Sequence, residues 1–208
     1  KEEYLMTGEL EKTNKSYAIA KIAGIQLCDS LREQYGFDAI SVMPTNLYGP
    51  GDNYNSRNSH VLPALIKKFY DAKQNNSSSV TCWGSGSPLR EFLHVDDLGD
   101  ACLFLLENWD PNADVSPKDK NREPFTLLNV GTGVDTSIKN IALKLAELIG
   151  FEGEIIWDSN KPDGTKKKQL DVSRINKLGW TAKIPLEIGL RNTIFDYENE
   201  LNSKLLRC

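Results

Sequence analysis

No apolar run in the 208 residues approaches the ~20 that a membrane-spanning helix needs. The charged opening KEEYLMTGELEK has none of the apolar stretch of a secretory leader. The four cysteines, Cys28, Cys82, Cys102 and Cys208, stand far apart without a C-x-x-C pair. That argues against a disulfide scaffold or a zinc site and suits a reducing compartment. Positive charge is not in excess either, since 25 Lys and Arg against 29 Asp and Glu give a net charge of −4. No whole-chain field draws in nucleic acid or an anionic membrane, and an anionic ligand must be held locally. Internal repeats are absent. The expectation is a soluble, cytoplasmic protein that binds neither nucleic acid nor membrane.

What is present, 39% hydrophobic and 26% charged residues, suffices for one or two globular domains. Apolar residues Ile19, Ile22, Ala23 and Leu27 recur at helical spacing over 16–35, which stops before Gly36. Further helices are expected at 61–73, 96–107, 137–149 and 186–197, the one at 96–107 opening on an aspartate-rich turn. Short strands are expected at 39–43, 80–83, 125–130 and 154–157. The biased stretch QNNSSS (74–79) reads as a surface turn, and 108–124, with three prolines and many charges, as a long exposed loop. Strands separated by helices imply an α/β fold with a mostly parallel sheet covered on both faces.

Tyr17 and Lys21 stand at i and i+4 on the first helix, which places a phenol and an ammonium on one face. A free tyrosine titrates near 10, and a fixed positive charge favours the phenolate. Such a phenol is able to exchange protons with a carbonyl or an alcohol. The spacing alone recurs by chance on many helices.

Other segments follow YAIAK in order: SVMPTNLYGPGDNY (41–54), NSHVLPALI (58–66), WGSGSPLREFLHVDD (83–97), NVGTG (129–133) and KPDGT (161–165). Together they resemble the extended short-chain dehydrogenase/reductases that act on nucleotide sugars, most closely the branch that epimerises and reduces GDP-4-keto-6-deoxy-D-mannose to GDP-L-fucose. The resemblance runs from about residue 13 to about 197. It implies the C-terminal part of an NAD(P)-binding Rossmann-type fold with a smaller α/β substrate-binding domain. The opening strand, glycine-rich turn and helix that take the cofactor pyrophosphate in this family do not precede Tyr17, nor do the family's serine and cysteine catalytic partners. Gly131-Thr-Gly133 is no substitute: Thr136 stands where the last glycine is needed, and the segment reads as a turn into a helix capped by Thr136 or Ser137. The chain is expected to be a piece of the enzyme, either active with NADP(H) or only a sugar-nucleotide-binding module. Another epimerase or dehydratase of the same family, using tightly held NAD, is the runner-up.

The resemblance implies roles. Tyr17 is the acid that protonates the keto oxygen during reduction; Lys21 assists it and holds the nicotinamide ribose. His60 serves in epimerisation, where a group titrating near neutrality is useful. Its other role is a helix-cap residue after Ser59. Pro44, Thr45, Asn46 and Leu47, at the carboxyl end of a strand, are expected to contact cofactor with Tyr17, Lys21 and His60; a strand-ending turn accounts for them equally. Trp83 and Arg90 are expected to take the nucleotide or sugar and a phosphate. Lys68 and Asp163 complete the substrate set, with Lys67 and Lys166 to Lys168 left to solvent. The alternatives are a core tryptophan, solvated cations and a turn-forming Asp-Gly. His94, Asp96 and Asp97 are not assigned to a metal: the aspartates suit a helix start, and His94 reads as a buried partner of that turn. Residues 1–50 are expected to belong to the dinucleotide-binding domain, 51–95 mainly to the substrate domain, 96–135 again to the former and 136–208 mainly to the latter. The small residues Ala20, Ala23 and Gly24 on the first helix suit a homodimer.

Overall fold

The computed structural model describes residues 1–119 and 121–207; Lys120, in the 108–124 segment, and Cys208 lie outside the described residues. After 3-10 turns at Glu2–Tyr4 and Lys12–Asn14 come α1 (Lys15–Tyr35), β1 (Ser41–Pro44), β2 (Asn46–Tyr48), α2 (Val61–Gln74), β3 (Ser79–Trp83), β4 (Leu89–His94) and α3 (Val95–Asn108). There follow β5 (Leu127–Val130), β6 (Asp135–Ser137), α4 (Ile138–Ile149), β7 (Glu154–Asp158), β8 (Lys167–Lys168), α5 (Ser173–Leu178) and α6 (Leu186–Asn202). The fold is α/β. Strands β1 and β5, β2 and β4, β3 and β7, and β4 and β8 pair in parallel, and β6 runs antiparallel to β4.

Every expected helix forms. Helix α1 ends where Gly36 adopts a left-handed φ of 65° and its N–H returns to Arg32 O, the usual stop for a helix whose next residue lacks Cβ. Helix α4 starts on Ser137, whose hydroxyl accepts the Asn140 N–H at 3.1 Å, while Thr136 lies in β6. Strand β4 was not expected: LREFLH carries Arg90 and Glu91 in place of an apolar alternation, and buries Glu91 completely. The short β2, β6 and β8 and helix α5 likewise lack a periodic signal.

Two apolar clusters organise the chain. In the first, Leu62, Ile66 and Phe69 of α2 meet Ile141 and Leu145 of α4 and Leu190 and Tyr197 of α6, over β3 and β7. Burying one such side chain stabilises the fold by about 1.5–3 kcal/mol. The second joins Leu93, Leu128 and Val130 of the strands to Ala101 and Leu105 of α3 and Ile175 of α5. The 108–124 segment, expected to be an exposed loop, is partly buried: Trp109 and Ser116 are covered, and Trp109 completes the second cluster.

Helix α1 rests on the body by a half-buried stripe through Ala18, Ile22, Ile25 and Asp29, and no residue of it is fully buried. Ile19 and Leu27 point away, 50% and 59% exposed, with Ala23 between them. The expected apolar face is thus two stripes, one leaning on the protein and one open.

Candidate active site

On α1 the Lys21 ammonium stands over the Tyr17 ring, 5.6 Å from its centroid, and the ring is 66% exposed. The i, i+4 spacing therefore does bring the two side chains together at the surface. His60 is exposed at the start of α2 with extended backbone, and its side chain makes no capping bond. The imidazole is not consumed by the helix end.

Pro44 to Leu47 cross from β1 to β2 at the carboxyl end of a parallel strand. The Thr45 N–H donates to Val130 O at 3.0 Å, and both the Thr45 hydroxyl and the Asn46 amide donate to Glu91 O, at 3.2 and 2.7 Å. Leu47 packs against the second cluster. The segment is fastened from within by the backbone of β4.

Trp83, Lys68, Asp163 and Arg90 gather at the end of β3. Trp83 is 68% exposed, which rules out the core reading, and its ring is flanked by Lys68 Nζ at 5.6 Å and Lys161 Nζ at 5.4 Å. Lys68 also donates to Thr81 O at 2.8 Å. After Trp83 the chain turns at Gly84, with φ +76°, where a Cβ would collide with the Asp163 carboxylate. Both oxygens of that carboxylate accept from Ser85, one from its N–H at 2.9 Å and the other from its hydroxyl at 2.7 Å. The hydroxyl bond, then the N–H bond, hold Asp163 below the usual aspartate range. A carboxylate has about four acceptor sites, so Asp163 keeps capacity for another donor. Arg90 is anchored through Nη1 to Leu89 O and Thr165 O, at 2.7 and 2.6 Å. Burial lowers its pKa, yet arginine remains charged in proteins. Among the described residues no hydrogen bond or ring contact links this group to Tyr17 and Lys21.

Three residues that sequence reasoning left out organise the neighbourhood. The fully buried Glu91 carboxylate accepts the N–H groups of Gly133 and Leu170, both at 2.8 Å, and a Cβ on Gly131 would collide with it. NVGTG is therefore a turn wrapped around a carboxylate. The available signal was an acid inside an apolar strand, upstream of glycines that leave backbone N–H groups open. The other two, Ser85 and Lys161, carried no signal of their own. His94 is buried, and its Nδ1 accepts the Asp96 N–H at 3.3 Å, the structural part expected of it. Asp97, also buried, accepts the N–H groups of Lys183 and Ile184. A cavity of about 360 Å³ lies elsewhere, between Phe92, Thr132, Thr136 and Leu186, and none of the expected site residues lines it.

The sequence profile of the NAD dependent epimerase/dehydratase family matches residues 1–118. The chain belongs to this family. Among curated relatives, the probable GDP-L-fucose synthase 1 of Oryza sativa subsp. japonica is 50% identical over 98% of the chain and 58% of its own length. The GDP-L-fucose synthase of Escherichia coli K12 is 49% identical over 92% of the chain and 59% of its own. Among solved family structures, a GDP-L-fucose synthetase from Naegleria fowleri bound to NADP superimposes with a TM-score of 0.85 at 28% identity. That match covers 100% of the chain and 62% of the solved one. The chain thus spans about three-fifths of these relatives.

Proposed function

We propose that this chain carries the proton-donating helix and the substrate-binding part of an NADPH-dependent enzyme that epimerises GDP-4-keto-6-deoxy-D-mannose at carbons 3 and 5 and reduces carbon 4, giving GDP-L-fucose. One observation carries this reading: near 50% identity to GDP-L-fucose synthases runs through almost the whole chain. The geometry supports it with a phenol beside an ammonium on α1, and with an exposed indole flanked by two ammonium groups at the end of β3 and a half-buried guanidinium on β4.

The substrate carbonyl acidifies the neighbouring C–H bonds, so a base removes a proton to leave an enolate and reprotonation inverts the carbon. His60 serves in that exchange. In the reduction Tyr17 gives its proton to the carbonyl oxygen, with the Lys21 ammonium held over its ring. The Tyr17 phenol and the Lys21 ammonium over its ring form a donor set that fits the hydroxyls of a nicotinamide ribose, and Pro44 to Leu47 and His60 complete that contact. NADPH, when bound, supplies the hydride. Trp83, Lys68, Arg90 and Asp163 hold the GDP moiety: the ring stacks, the cations take phosphate and Asp163 accepts a ribose or base donor.

The second apolar cluster supports assigning 1–50 and 96–135 to the dinucleotide-binding domain, with Leu93, Val172, Ile175 and Trp180 contributed from outside those ranges. The first supports assigning 51–95 and 136–208 to the substrate domain. The open stripe Ile19, Ala23 and Leu27, beside Ala20 and Gly24, supports a second copy docking on α1; sedimentation at the dimer mass tests it. No helix among the described residues is long and apolar enough to cross a membrane, in keeping with a cytoplasmic setting.

Calorimetric titration with GDP, followed by an NADPH-oxidation assay with the keto sugar, tests the function. Saturable GDP binding is expected. Turnover marks the chain as an active enzyme, and binding without turnover as its substrate-binding portion alone. Failure to bind GDP, or equal affinity for UDP, overturns the reading.

A further inference from the structure

Trp83 carries two ammonium groups, and they are held differently. Lys68 sits on α2 and is pinned by its bond to Thr81 O. Lys161 projects from an exposed loop and reaches the ring at 5.4 Å. That loop is fastened to the site at two further points, Asp163 to Ser85 and the Thr165 carbonyl to Arg90. One short segment thus delivers a cation to Trp83 while bonding to Ser85 and Arg90. Two like charges gathered on one exposed indole repel each other. An anion placed among Lys68, Lys161 and Arg90 would relieve that repulsion, and in a chain of net charge −4 such a cluster is a local construction.

We propose that Lys161 is a diphosphate-binding residue of this site. It rests on the indole in the free protein and transfers to the phosphates when a nucleotide stacks on Trp83, so that one side chain both covers the stacking surface and grips the ligand. The inference rests on the nucleotide reading of the site and adds to it which residue distinguishes a diphosphate from a nucleoside.

Calorimetric titrations of GDP, GMP and guanosine against the wild-type chain, Lys161→Met and Lys161→Arg test it. Methionine keeps the length and removes the charge. Lys161→Met is expected to weaken GDP binding about tenfold, as for the loss of one charge-assisted contact. GMP should lose less and guanosine nothing, and Lys161→Arg should restore GDP binding. The dependence of GDP affinity on salt should also become shallower in Lys161→Met. Parallel losses for all three ligands would mark a merely structural lysine and overturn the proposal. So would unaltered GDP binding by Lys161→Met. If the wild-type chain bound no GDP, the nucleotide reading would fail and take this inference with it.

Discussion

Glu91 accepts the Gly133 backbone N–H through its carboxylate at 2.8 Å, while its own carbonyl accepts the Asn46 amide at 2.7 Å. One residue of β4 therefore ties the PTNL crossing to the NVGTG turn, one position from Arg90. Replacing Glu91 by Ala leaves the Gly133 and Leu170 N–H groups without their acceptor in a buried setting. Each loss costs about 1–3 kcal/mol. Urea unfolding of Glu91→Ala should show a destabilisation of about 3 kcal/mol, and Glu91→Gln should recover only part of it, because an amide offers one acceptor oxygen. A midpoint equal to that of the wild type would remove Glu91 from this role.

The two proposed proton carriers should separate on mutation. In the full-length enzyme, Tyr17→Phe is expected to slow NADPH oxidation by about a hundredfold or more, in line with the loss of a positioned acid. Epimerisation should persist. His60→Asn should do the reverse, abolishing incorporation of solvent deuterium into the sugar. Normal reduction in Tyr17→Phe would refute the acid assignment.

Acid should release the 161–165 loop. Hydrogen bonds from Ser85 hold Asp163 below its ordinary 3.8, so the folded state binds that proton less readily than the unfolded chain does. The stabilisation is complete above 3.8 and disappears as pH falls through the lowered folded value. The Trp83 part of the emission, isolated by difference against Trp83→Phe, should change across that range while far-UV dichroism holds. Asp163→Ala should show the acid-form signal at pH 7.

Thiol reagents should distinguish the cysteines. Burial raises the Cys82 pKa above its usual 9.0 against the opposing charge of Lys68, so its thiolate is scarce and shielded. Cys28 and Cys102 are half-buried. Maleimide should label those two first and reach Cys82 only in denaturant; early labelling of Cys82 in the native chain would contradict the observed burial.

Much of this architecture was legible in the sequence because apolar periodicity specifies helices directly: α2 and α4 bury the faces that their spacing predicts. The pairing of Tyr17 with Lys21 was legible for the same reason, being local to one helix. Long-range contacts were not. Nothing near Glu91 in sequence announces that Gly133 and Leu170 will converge on it, and Asp163 shows its dependence on Ser85 only when residues 78 positions apart meet. Strand β4 escaped recognition because Glu91, one of its four buried residues, is an acid stabilised by backbone donors that no alternation pattern encodes. In α1 the period was right, and it did not say which side meets the body: an apolar stripe shows that a surface seeks cover and does not say which of two neighbouring stripes the body will take.

The loop over Trp83 meets the site through alternate positions, Lys161 at the indole, Asp163 at Ser85 and Thr165 at Arg90. An insertion or deletion between Lys161 and Asp163 would lift the ammonium off the indole while leaving the Ser85 and Arg90 contacts in place. The spacing from Lys161 to Asp163 is thus fixed by the site, and length variation in the segment is confined to positions before Lys161.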